Sequence, residues 1–337
     1  MDRTGKIIEC VPNFSEGRDE KVIAAIAESI RSTKGVKLLS VEPDKDYNRC
    51  VVTLVGGPSE VQEAAFRATK SAAELIDMRR HKGEHPRIGA TDVVPFIPVA
   101  GVTMDDCVRV ANEFGKRVGA ELLIPVYLYE EAARVPERKN LAVVRKGEYE
   151  GLPQKLSEPA WKPDYGPAVF NERSGATVTG ARFFLVAYNV NLKTNEKDLA
   201  HEIALRIRES GRTVKGKDGS STKVPGSLKS VKAMGVLVER FNIAQVSINL
   251  TNYNITPPHV AFEEVKKEAR SLGVEVTGSE IVGLIPKEAL LMAGRHYASP
   301  NSGGMDEDRL IATAVERLGL SRLEPFDPEK KVVEYMI

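Results

Sequence analysis

Apolar positions along the chain recur at two periods. Residues 6–11 are an apolar, β-prone run that stops at Pro12, and beyond the polar stretch 13–17 the residues Val22, Ile23, Ile26 and Ile30 follow at helical spacing. Runs at 36–41 and 50–55, separated by turn-like residues 43–48, predict two more strands. Pro58 then opens an alanine-rich helix with Val61, Ala65, Ala68, Ala72 and Leu75 on one face. After Gly180 the order β-α-β-β-α recurs: a strand over 183–190, a helix over 199–207, strands over 234–238 and 245–250 around a turn at 240–242, and a helix from Pro257 to about Leu272, with a strand at 274–277 behind it. The pattern also predicts an amphipathic helix over 104–122, a strand over 124–129 and a charged helix or turn at 131–139. Residues 147–180 show no sustained period, and the Lys, Gly and Ser-rich stretch 211–227 reads as a mobile surface loop. Two units of one topology predict an α/β fold of the α+β type with two similar halves.

Composition narrows the function more than the fold. With 48 Lys plus Arg against 47 Asp plus Glu, the net charge of +1 supplies no global field for nucleic acid or an anionic membrane, so an anionic ligand needs a local cluster. The 337 residues suffice for about two domains, and 42% hydrophobic with 28% charged residues marks an ordinary globular protein. Cys10, Cys50 and Cys107 are odd in number and lie in apolar runs, a pattern of neither disulfides nor zinc, and a reducing cytoplasm is expected. The first residues do not read as a signal peptide, and nowhere do about 18 apolar residues run together.

Chemistry concentrates in the loop 76–92, IDMRRHKGEHPRIGATD, between a helix and an apolar run. His81 and His85 are four apart, yet Gly83 and Pro86 break the helix a paired metal grip would need, so no metal is expected. Proton transfer suits one histidine better, because an ordinary pKa near 6.5 lets imidazole take and give a proton at neutral pH. The loop 10–17, with Asn13, joins a strand to a helix whose N-terminal N–H groups suit an anion; its bland alternative is a helix start capped by Ser15 or Asp19. Glu42, Asp44, Asp46, Asn48 and Arg49 form a third polar cluster, where a carboxylate could orient an imidazole if the sheet brings the two together. His259 could face an interdomain cleft, and His201 and His296 sit in helical context.

The strings IIECVPNFSEG (7–17), NRCVVTLVG (48–56), LIDMRRHKGEHPRIGATDVVPFIPV (75–99) and IPVYLYEEAA (124–133) resemble the formiminotransferase family. WKPDYGP (161–167), SGATVTGARFFLVAYNVNL (174–192), AQVSINL (244–250) and the terminal EYMI continue the resemblance over nearly the whole chain. It implies transfer of the formimino group of N-formimino-L-glutamate to N5 of tetrahydrofolate, and a homodimer without the cyclodeaminase domain fused to the vertebrate enzymes. It also implies an N-terminal subdomain over 1–178 and a C-terminal one over 179–337, each a mixed sheet with helices packed on it, with folate in the cleft between. The family's catalytic histidine matches His85, and its associated carboxylate matches Glu42, where the vertebrate pattern has aspartate. The folate-binding stretch matches Gly166, Pro167, Ala168, Val169, Phe170, Asn171, Glu172, Arg173, Ser174 and Gly175. Because the substrates are polyanions, Arg87, Arg173 and Arg182 are nominated as the basic cluster, with no role for nucleic acid or membrane. Two alternatives remain: a formyl in place of a formimino donor, and a folate-binding protein without catalysis.

Overall fold

A computed structural model describes residues 5–215, 221–298 and 305–336. They form two compact units, one ending at Arg182 and one spanning Phe183–Met336.

In the first unit, β1 (Ile7–Cys10) and the two-residue β2 (Asn13–Phe14) lead into α1 (Glu20–Arg31). Asp19 starts that helix by accepting the N–H groups of Lys21 and Val22, and Ile23, Ile26 and Ile30 are its buried stripe. The hairpin β3 (Val36–Asp44) and β4 (Arg49–Gly56) follows, then α2 (Pro58–Leu75), β5 (Thr91–Ala100) and α3 (Met104–Glu121), the last opened by a reciprocal Thr103–Asp106 capping box. β6 (Val126–Glu130), the short α4 (Leu141–Arg145) and α5 (Leu152–Ser157), and β7 (Thr177–Ala181) complete the unit. The sheet order is β1-β4-β2-β5-β7-β6 with β3 on the far side of β4. β7 runs parallel to both β5 and β6, and the other pairings are antiparallel, so the sheet is mixed as expected. Phe14, Phe96, Phe114 and Tyr127 are buried in its core, with Phe96 and Phe114 edge to face.

The second unit holds β8 (Val186–Leu192), α6 (Lys197–Ile207), the hairpin strands β9 (Arg212–Lys215) and β10 (Ser221–Val224), β11 (Val231–Val238), β12 (Ile243–Leu250), α7 (Pro258–Ser271) and β13 (Val276–Val282). Then come α8 (Lys287–Tyr297), α9 (Glu307–Leu318) and α10 (Pro328–Lys331). Its main sheet, ordered β11-β12-β8-β13, is antiparallel in each described pairing rather than mixed.

Several elements differ from the sequence pattern. Residues 147–180 are not structureless: α5 and β7 lie in them, and Arg138 fixes the intervening chain by donating to the carbonyls of Ala160 and Lys162 and to the Asp164 carboxylate. Those elements are only five or six residues long, too short to display a period. The expected loop 211–227 contains the β9–β10 hairpin, with 216–220 outside the described residues. β8 begins at Val186 rather than 183, β13 runs to Val282 rather than 277, and the charged stretch 131–139 is a turn with one 3-10 segment at Pro136–Arg138.

Candidate active site

Three loops of the first unit meet at Asn48. Its side-chain carbonyl accepts the Gly17 N–H at 3.0 Å, and its amide donates to the Lys82 carbonyl at 3.0 Å, so the loops around residues 17, 48 and 82 are tied through one residue. Ser15 adds two bonds to the histidine loop, from its hydroxyl to Gly89 O at 2.7 Å and from its N–H to Ala90 O. On the other side Gly175 bridges Gly89, Ala176 N–H donates to Ile88 O, and Ala90 N–H to Ser174 O. The loop carrying His85 is thus laced to rigid neighbours along both flanks, which is how a surface loop can hold a reactive group in place.

His85 is half-buried with its Nδ1 shielded from solvent and without a hydrogen-bond partner among the described residues, and Tyr47 stands edge-on to its ring at 5.9 Å. Burial lowers its pKa from the ordinary value, the Arg49 and Arg145 guanidiniums lower it further, and Asp92 opposes them. The imidazole is therefore neutral at physiological pH and able to accept a proton. Asp92, 2% exposed at the head of β5, accepts the Ile88 N–H at 3.0 Å with one oxygen and pairs with Arg145 through the other. Arg49 Nε donates to the Asn13 side-chain oxygen Oδ1 at 2.9 Å. Two guanidiniums against one carboxylate leave a net positive charge beside a neutral base.

Glu42 is not brought to this place. It is exposed on β3 opposite Val51, where its charge acts on Cys50; the carboxylate acting on His85 is Asp92. The three nominated arginines do not form one cluster either. Arg87 is spent on a fork to Glu150 at 2.7 and 2.9 Å, a bond to Glu148 at 2.8 Å and a contact with His81 Nδ1. Arg173 donates to the carbonyls of Ala73 and Glu74 at the end of α2, satisfying a helix terminus, and Arg182 acts on Cys10 and Tyr129. His81 is held by the Asn48 carbonyl at 2.8 Å. Arg49 and Arg145, not nominated from the sequence, carry the site's positive charge.

Residues 166–175 form a strap held at both ends by close backbone contacts, exposed at Gly166 and buried at Gly175. A Cβ on Gly166 would come 2.4 Å from the Ile124 carbonyl, and one on Gly175, whose φ is +67°, 2.2 Å from the Ile88 carbonyl. Both glycines are required by close backbone approach. Between them Ala168, Glu172 and Arg173 are exposed and Val169 strongly so, Pro167 and Phe170 are partly covered with Phe170 against Tyr149 at 5.3 Å, and Asn171 accepts the N–H groups of Ser174 and Gly175. The strap thus abuts the His85 loop and leaves Val169 exposed and Phe170 partly so. A hollow of about 700 Å³ beside α9 in the second unit is lined by apolar residues with Asp308, Glu316, Glu329 and Arg322, and by no histidine. Among the described residues no three His, Cys, Asp or Glu side chains group as a metal centre requires, and no helix is long and apolar enough to cross a membrane.

A neutral imidazole beside a cationic patch is the equipment of a proton-transferring site for an anionic substrate. Residues 7–182 match the formiminotransferase domain, N-terminal subdomain, and residues 187–337 match the formiminotransferase domain. The chain is 52% identical to a formimidoyltransferase-cyclodeaminase of Dictyostelium discoideum over 98% of its own length, and it spans 60% of that relative, as it does of the vertebrate relatives of the same name. It is also 47% identical to a glutamate formimidoyltransferase of Streptococcus pyogenes serotype M1, over 87% of this chain and 93% of that one. A second, from Thermoplasma acidophilum, is 45% identical over 92% and 98%. The chain belongs to the formiminotransferase family.

Proposed function

We propose that the chain moves the formimino group of N-formimino-L-glutamate to N5 of tetrahydrofolate, with His85 as the proton carrier. The observation that carries this reading is the neutral, half-buried His85 between Arg49, Arg145 and Asp92. N5 attacks the formimino carbon; as the tetrahedral centre forms, His85 takes the N5 proton, and when the bond to the glutamate nitrogen breaks it returns that proton to the leaving amine. Atoms balance without a covalent enzyme intermediate: L-glutamate leaves and 5-formiminotetrahydrofolate remains. Arg49 and Arg145 anchor a glutamate carboxylate, a role for which planar guanidinium forks suit. The strap 166–175, with Val169 and Phe170, lies against folate. The name glutamate formimidoyltransferase, carried by two relatives of which this chain covers 93% and 98%, supports the donor. The protein acts as a homodimer in the cytoplasm, where its three buried cysteines stay reduced.

The test compares formimino- and formylglutamate as donors to tetrahydrofolate. Formiminoglutamate is expected to be the faster donor, and His85→Ala to lose roughly 10² to 10⁴ in kcat while still binding tetrahydrofolate. Faster formyl transfer would move the assignment to a formyl donor. A folded His85→Ala protein near the wild-type rate would end the proton-carrier role.

A further inference from the structure

One side chain beside His85 has no part in the mechanism above. Tyr47 sits at the tip of the β3–β4 hairpin, and its ring stands edge-on to the imidazole, with centroids 5.9 Å apart and planes at 63°. Its backbone is pinned. The Asp46 and Tyr47 N–H groups both donate to Asp44 Oδ1 at 2.9 Å, and the Tyr47 carbonyl packs so closely on Gly83 that a Cβ there would come within 2.3 Å. The ring is not: it makes no hydrogen bond among the described residues, and Tyr47 is 46% exposed. On that fixed base the side chain turns about its Cα–Cβ bond as exposed residues do, within nanoseconds. Tyr47 and His85 share the wall of a hollow of about 180 Å³ with Asn48, Arg49 and Asp92, nowhere wide enough for a water molecule. Of the described residues that line it, Tyr47 alone is exposed; the others are buried or half-buried.

Water is what an open ring would admit. The formimino carbon that N5 attacks is equally open to water, and a neutral imidazole takes a proton from either nucleophile. Water adding to that carbon gives its proton to His85. The carbon–nitrogen bond to glutamate then breaks with that proton on the leaving amine, so L-glutamate and formamide form and the folate is untouched. A site closed to water until the amine is in place avoids this loss. We propose that Tyr47 decides between transfer and hydrolysis: its ring closes edge-on over His85 and turns outward to admit the formimino group, packing on it in water's place. The role rests on the formimino-transfer reading above, and it belongs to the apolar ring, since the hydroxyl has no hydrogen-bond partner among the described residues.

The experiment follows formiminoglutamate consumed against 5-formiminotetrahydrofolate formed, with and without tetrahydrofolate, in wild type, Tyr47→Ala, Tyr47→Phe and the double variant Tyr47→Ala, His85→Ala. Wild-type protein is expected to consume one donor per folate product and, without the acceptor, to add little to the rate in buffer. Without tetrahydrofolate, Tyr47→Ala should consume donor about tenfold faster or more, part of the roughly 10² to 10⁴ that a general base supplies. With the acceptor present, it should consume more donor than it makes folate product. Tyr47→Phe should restore the wild-type ratio, and the double variant should lose the leak. A merely structural role would lower kcat and leave the ratio at one. A folded Tyr47→Ala protein that stays at one donor per product, with no added consumption when the acceptor is absent, would overturn the proposal. So would an equal leak in Tyr47→Phe, or a leak that survives the loss of His85. Tyr47→Ser replaces the Ala variant should that one fail to fold. Wild-type protein that forms no 5-formiminotetrahydrofolate would instead sink the functional reading.

Discussion

Asp92→Asn isolates the charge of the carboxylate that organises the histidine loop. Asparagine keeps an oxygen for the Ile88 N–H, so what is lost is the ion pair with Arg145. Asp92 is 2% and Arg145 14% exposed at the side chain, so little solvent screens the pair. Removing one member of a buried pair leaves an uncompensated charge and costs about 3 to 5 kcal/mol; some residual exposure of Arg145 puts this case near 3. Arg145→Met should cost about the same, because the carboxylate is then stranded. Were the sites independent, the double variant would lose about 6 kcal/mol; since neither charge remains to be stranded, it should lose about 3, a coupling of about 3. Asp92→Ala should exceed Asp92→Asn by a further 1 to 3 kcal/mol, roughly, as the Ile88 N–H loses its acceptor. Trp161, the sole tryptophan, lies in the first unit, so its fluorescence in a urea titration follows the unit in question. A double variant additive within about 0.5 kcal/mol would refute the pairing as the reason for the burial.

Three further outcomes follow from the same geometry. Because the His85 pKa is lowered, the acidic limb of kcat/KM should lie below about 6.5; Arg49→Gln removes a cation that lowers it, so the limb should move to higher pH while the donor KM rises about tenfold, both read from a pH series of initial rates. Gly175→Ala, at φ +67° with the Ile88 carbonyl 2.2 Å from the new Cβ, should destabilise by more than about 1 kcal/mol and lower kcat, since Ile88 is three residues from His85; a melting curve and kcat matching the wild type would count against it. His259 is buried on a stacked His296, and burial, then that neighbour, lowers its pKa to about 4. The unfolded chain takes up that proton near pH 6.5, so about 3 kcal/mol present above 6.5 should fade as pH falls toward 4, and His259→Gln should flatten this slope in urea titrations across the window.

How much of the fold the sequence revealed depended on element length and on how local the deciding signal was. α3 is legible because eighteen residues show a full stripe and its cap is written in Thr103 and Asp106. α5 spans six residues, less than two turns, and its partners are reached only through the tertiary fold; Lys155 donates to the Val144 carbonyl. The β9–β10 strands alternate few apolar residues, since Val214 is exposed and Ser221 to Lys223 are too, so nothing in their composition separates a solvated hairpin from a loop.

The site shows the same division more sharply. His85 stands out by residue type, because few side chains change charge near neutral pH. Its carboxylate neighbour does not stand out by proximity to other polar residues: Glu42 lies in the polar cluster 42–49, and a cluster of that kind marks solvent. The informative signal was the opposite one. Asp92 is a lone acid at the head of TDVVPFIPVA, a run buried over most of its length in the interior of the sheet, and an ionised carboxylate in such a place must find a cation or hydrogen-bond donors. Sequence alone states that demand without naming who meets it. The answer, Arg145, is 53 residues away on a five-residue helix, and Ile88 N–H, which takes the second oxygen, belongs to the loop itself. A buried charge placed in a strand therefore points to its own tertiary partners, and here one of them, the Ile88 N–H, holds the His85 loop while the other, Arg145, acts on the imidazole.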